Sequence, residues 1–68
     1  MVLVFKTNIF SQLEVHVKSI LDSFKQISTV DFDFEDTDKI LRIEATEDLT
    51  SDIELLLNSK GFYCKELE

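Results

Sequence analysis

The sequence predicts an α+β sandwich in which two helices cover one face of a four-stranded antiparallel sheet, and three observations carry that expectation. Two stretches repeat their apolar residues at steps of three and four, four short stretches are β-branched or aromatic with apolar residues at every second position, and the two patterns interleave as βαββαβ within 68 residues. A chain this short has one core to fill, so residues 1–68 are expected to form a single domain.

Residues 2–7 (Val-Leu-Val-Phe-Lys-Thr) form the first predicted strand, with Leu3 and Phe5 on one side and Val2, Val4 and Lys6 on the other. Apolar residues then fall at Phe10, Leu13, Val17, Ile20, Phe24 and Ile27, with Leu21 widening the stripe. Ser11-Gln12-Leu13-Glu14 fits a capping box, so the first helix is expected from Ser11 to Lys25. Val30-Asp31-Phe32-Asp33-Phe34 alternates strictly and is the second strand. Ile40 to Ala45 is the third, with Leu41, Ile43 and Ala45 inward and Ile40, Arg42 and Glu44 outward.

Residues 35–39 leave room only for a hairpin. Residues opposite one another share a face, which permits two registers: Phe34 opposite Leu41 with Arg42 beside Asp33, or Phe32 opposite Leu41 with Arg42 opposite Asp31. A second capping box, Ser51-Asp52-Ile53-Glu54, opens a helix near Thr50 or Ser51, where Asp48 and Asp52 suit the positive end of the helix dipole. Leu49, Ile53, Leu56 and Leu57 supply its buried stripe, and the lone glycine, Gly61, ends it. Phe62 to Leu67 is the fourth strand, with Phe62 and Cys64 inward.

The economical way to bury two helix stripes in this order is the ferredoxin-like arrangement, strand order 4-1-3-2, in which both crossovers are right-handed. The opposite sheet face is then left to solvent. It should carry Val2, Val4, Lys6, Asp31, Asp33, Ile40, Arg42, Glu44, Tyr63 and Lys65. Val2, Val4 and Ile40 could form an apolar centre there, with Arg42 and Tyr63 at its margin, the anatomy of a modest protein-binding surface. The same residues also fit an ordinary solvated face, since scattered apolar side chains are common on surfaces.

Charge narrows the partners. Seven Lys and Arg against fourteen Asp and Glu give a formal charge of -7, which repels nucleic-acid phosphates and anionic lipid. Met1 to Phe5 is too short an apolar run for a signal peptide or a membrane span, so the expected location is cytoplasmic. One Cys and one His cannot fill a zinc or iron–sulfur site, and no phosphate loop or nucleophile motif is present. Asp31, Asp33, Glu35, Asp36 and Asp38 crowd one stretch, but a calcium loop starting at Asp31 needs Gly and Glu where Asp36 and Arg42 stand. A solvated face and a polar turn explain them. No catalytic residue and no cofactor are expected.

Lys6-Thr7-Asn8-Ile9, Asp38-Lys39-Ile40-Leu41-Arg42-Ile43 and Lys60-Gly61-Phe62 resemble the corresponding stretches of the heavy-metal-associated domain family, over nearly the whole chain. That family includes copper chaperones and the metal-binding modules of metal-transporting ATPases. The resemblance implies a ferredoxin-like fold and, in the loop after the first strand, a Cys-x-x-Cys pair holding a soft ion through two thiolates. Here Phe10 and Leu13 have the spacing of those two positions, and neither they nor Ser11 and Glu14 can replace a pair of thiolates. No metal ligand carries over from the resemblance.

Cys64 lies on the last strand instead, where it reads as a small buried hydrophobe. His16 falls off the apolar stripe and reads as a solvated side chain. The expected function is a non-enzymatic, metal-free interaction or regulatory module that binds a protein partner or a second copy of itself. The alternatives are a soft-metal carrier, for copper or zinc, using Cys64 across a dimer, and a regulatory domain holding a metabolite between subunits.

Overall fold

The computed structural model describes residues 1–35 and 37–67; Asp36 and Glu68 lie outside them. Strand β1 (Val2–Thr7) leads through a 3-10 turn (Ser11–Leu13) into helix α1 (Glu14–Leu21). Strands β2 (Ile27–Asp33) and β3 (Ile40–Ala45) follow, then helix α2 (Thr50–Ser59) and strand β4 (Cys64–Glu66). The strands form one antiparallel sheet in the order β2-β3-β1-β4, which is the predicted order counted from the other edge. Of the two permitted registers the chain adopts the second, with Phe32 opposite Leu41 and Asp31 opposite Arg42. A bulge between Ile27 and Thr29 takes Ser28 out of the ladder, and its hydroxyl donates to the Glu44 carbonyl at 3.3 Å.

Pleating decides which face is buried. Leu3, Phe5, Leu41, Ile43 and Ala45 share one side of the sheet, and all are buried in a single cluster with Val17 and Leu21 of α1, Ile53 and Leu57 of α2, and Leu49 just before α2. One strand parity and both helices meet in that cluster, so both helices lie on the same side. Ile9, which strand and helix patterns pass over, is fully buried in it from the β1–α1 loop.

The helix ends differ from the pattern-based expectation. α1 stops at Leu21 instead of Lys25, as the Ser23 and Phe24 amides bond back to Ile20 and Leu21. The apolar spacing runs on because Phe24, in a turn, and Ile27, already in β2, pack against the same core. Neither capping box forms. The residue before the 3-10 turn is Phe10, which offers no capping side chain, and Glu14 instead pairs with Lys18 at 2.8 Å one turn on.

At α2 the N-cap is Leu49, which has no capping side chain, and the residue before it braces the first turn. Asp48 Oδ1 accepts from the Thr50 hydroxyl at 2.6 Å and the Thr50 amide at 3.0 Å. These bonds, the hydroxyl's first, hold the Asp48 carboxyl below its ordinary pKa. Their contribution to stability is present above the unfolded carboxylate's pKa and is lost as pH falls through the lowered one. Glu54, released from capping, reaches across to β4, where its Oε2 accepts the Glu66 amide at 2.6 Å.

Gly61 closes α2 with φ +91, and the Phe62 amide bonds to the Leu57 carbonyl while the Gly61 amide bonds to that of Asn58. This is the Schellman arrangement, with Phe62 packed back on the core. It consumes the residue expected to start the last strand, which therefore begins at Cys64 and not at Phe62.

Two substitutions test this architecture by chemical denaturation. Ile53→Ala should cost about 2–5 kcal/mol, whereas Leu55→Ala, on the solvent side of the same helix, should change stability by less than ~0.5 kcal/mol. Gly61→Ala should cost about 1 kcal/mol from backbone strain alone, since a Cβ there would meet nothing within 4 Å.

Candidate functional site

The side of the sheet away from the helices is built by the register in rows. Val4 lies directly opposite Arg42, which in turn lies opposite Asp31; Val2 is opposite Glu44; Lys6 is opposite Lys65; and Asp33 is opposite Ile40. Val2 is 54% exposed, Val4 half-buried and Arg42 exposed, so these three occupy one continuous patch. Tyr63, 45% exposed, is not on the sheet itself. Its amide donates to Asn8 Oδ1 at 2.9 Å and its carbonyl accepts the Asn8 amide, which fixes it at the mouth of a shallow groove with Lys6, Lys65 and Leu67.

Ile40 departs from the expected apolar centre. It points to the uncovered face yet is only 6% exposed. Continuing the β1–β3 register by one residue sets the half-buried Lys6 beside it, and long Lys stems cover neighbouring apolar surface in this way. The accessible apolar residues of this side are therefore Val2 and Val4, with Leu67 at the margin after its amide extends the ladder to the Val4 carbonyl.

The β1–α1 loop is pinned by a buried threonine. The Thr7 hydroxyl donates to the Lys39 carbonyl at 2.7 Å and accepts the Ile9 amide at 3.1 Å, and the Thr7 amide bonds to the Asp38 carbonyl. An inward position on β1, two residues beyond Phe5, carries a hydroxyl, and a buried hydroxyl needs partners. That signal is present in the sequence, although strand patterning alone does not use it. Beyond it, Phe10 is 59% exposed with the Lys39 ammonium 5.0 Å from its ring centroid, and Leu13 packs against the core. Lys39 holds φ 49, a left-handed conformation uncommon outside glycine.

The two soft side chains stand apart from this loop's chemistry. Cys64 is buried on β4 opposite Thr7, and burial, with the Glu54 charge second, pushes its thiol up to about 12. His16 is exposed on α1, its ring edge-on to Phe62 at 6.3 Å. Among the described residues no group of three or more His, Cys, Asp or Glu is placed to hold a metal ion. No helix there is long and apolar enough to cross a membrane.

No protein-family model matches the chain, and no curated protein matches it. Among solved structures, it is similar to the solution structure of the N-terminal domain of ZntA in the Zn(II)-form, with a TM-score of 0.80 over 98% of this chain and 92% of that one. The chain has the ferredoxin-like fold. Sequence identity over that match is 14%, so the likeness extends to the backbone path and no further.

The raised thiol pKa fixes a sign. Folding keeps Cys64 protonated, so its contribution is intact below the ordinary thiol value of 9.0 and declines as pH rises toward 12. Denaturation midpoints measured at about pH 8 and about pH 10.5 should fall more for the wild type than for Cys64→Ala, whose alkaline slope lacks this group.

Proposed function

We propose that this chain is a non-enzymatic interaction or regulatory module of heavy-metal-associated type whose β1–α1 loop has lost the metal site, and that it works through the open sheet face. One observation carries the reading: the two loop positions with the spacing of the family's thiolates hold Phe10, whose ring lies under the Lys39 ammonium, and Leu13, which packs into the core. An ammonium positioned there repels a cation, and neither side chain donates an electron pair. Cys64, the one thiolate source, would have to leave the core and lose its proton against a pKa near 12 before it could bind a soft ion between two chains.

The open face supports the positive half of the reading. Val2 and Val4 sit among charges of both signs, a composition that suits a modest polar-rimmed contact. Its location is taken to be cytoplasmic, in keeping with the single free thiol.

Metal titration tests the proposal. Cu(I) and Zn(II), added to the reduced protein with a competing chelator, should show no stoichiometric binding tighter than about micromolar. The double variant Phe10→Cys, Leu13→Cys should acquire Cu(I) binding tighter by at least about a thousandfold, because a pair of soft thiolates binds Cu(I) strongly enough to outweigh the nearby Lys39 ammonium. Tight binding by the wild type, abolished by Cys64→Ala, would establish the carrier function instead.

A further inference from the structure

We propose that the open sheet face docks a second copy of this chain, face to face, with the acidic open side of β2 in one molecule over the open side of β4, which carries Lys65, in the other. The inference deepens the open-face reading above and rests on it. Its ground is the distribution of charge across the face. Asp31 and Asp33 lie on β2, at one edge of the sheet; Lys65 lies on β4, at the other, directly opposite Lys6 on β1; and Arg42 and Glu44 lie on β3. Three cations against three carboxylates leave the face formally neutral in a chain whose formal charge is -7. Every unit of net charge that would drive two copies apart is carried outside these positions.

The arrangement is also self-complementary. A two-fold axis parallel to the strands, placed between β1 and β3, carries β2 of one molecule over β4 of its partner, and so Asp33 over Lys65 and Asp31 over Leu67. An axis across the strands would stack acid on acid, so charge selects one of the two packings. Lys6 and Lys65 add a requirement of their own. Like charges directly opposite on neighbouring strands repel, and among the described residues neither lysine makes an ion pair, the one such pair being Lys18 with Glu14. Glu54 and Glu66 line the same groove without forming an ion pair with either lysine, and Asp33 of a second copy brings a carboxylate directly over Lys65. Ionic strength helps too: at ~0.15 M the screening length is about 8 Å, while the molecule is 18 Å thick, so charges on the far sides are screened and facing pairs are not.

The molecule measures 27 × 23 × 18 Å, which limits such a face to roughly 600 Å² per partner, below the ~800 Å² of a standard interface. The dimer is accordingly weak, with a dissociation constant of about 0.1–1 mM.

Sedimentation equilibrium of the full chain at ~0.15 M salt and up to about 1 mM protein reads it directly. The wild type should associate to dimers. Lys6→Glu with Lys65→Glu, and separately Asp31→Lys with Asp33→Lys, should each weaken association by at least about tenfold, and an equimolar mixture of the two variants should restore dimers at wild-type strength or better. Circular dichroism and a cooperative melt confirm that each variant is folded. A variant that unfolds is replaced by its single substitution at Lys65 or Asp33, for which the same rescue is required. A wild type that stays monomeric at 1 mM overturns the dimer, as do folded variants that associate like the wild type or fail to rescue each other. None of these results moves the metal titration, which alone decides whether the loop has lost its metal site.

Discussion

Alternate residues of a pleated strand point to opposite sides of a sheet, and in this protein only one of those sides is roofed. Phe5, Leu41 and Ile43 are fully buried because Val17 and Leu21 from one helix and Ile53 and Leu57 from the other converge on them. Shifting any of these strands by one residue would move its apolar set into water and bring its charged set under the helices, a change no local adjustment could absorb. Everything else of interest follows from that parity: which residues are free to meet a partner, why they carry charge, and why the single thiol is out of reach.

The two ends of the molecule use the constraint differently. At the β1–α1 end, three loops are tied together by backbone bonds and by the side chains of Thr7 and Asn8. Thr7 links to residues 38 and 39, and Asn8 to Tyr63. That cage holds Phe10 at the surface beneath a cation. A loop so tightly held has the rigidity that ligand chemistry requires, while the side chains of Phe10 and Leu13 in it carry no donor atom. The sheet face, in contrast, offers little shape and is distinguished by how its charges are sorted between its edges.

Most of this fold is legible in the sequence, and less of its detailed chemistry. Strand alternation and helix spacing are enough for the element order, the sheet order and the inward residues, because burial on one side imposes a period that composition cannot hide. Parity alone narrows the register to two choices it cannot separate, and the chain takes the one with Arg42 opposite Asp31. Helix ends mislead where local patterns imitate one another. Phe24 and Ile27 continue a helical spacing from non-helical backbone, and two Ser-x-x-Glu runs look like caps although the residues that precede the two helical segments, Phe10 and Leu49, offer no capping side chain and only Asp48, one residue further back, bonds the first turn of α2. At the site, Val2, Val4 and Arg42 fall where their parity requires. Ile40 is not accessible, since exposure depends on what a neighbouring lysine covers, and Thr7 and Ile9 escape pattern reading because their roles arise from contacts between segments distant along the chain.

The one-sided burial is most directly tested by methyl NMR with a soluble paramagnetic agent, at a protein concentration of about 50 μM, at least twofold below the ~0.1–1 mM at which self-association is expected. The Val2 methyls on the open face should broaden as strongly as those of Val15 and Leu55 on the outer helix surfaces, while Leu3, Leu41, Ile43 and Ile53 stay sharp. Broadening of Leu41 and Ile43 to the level of Val2, or protection of Val2 to the level of Leu41, would contradict a sheet with one covered face and one open one.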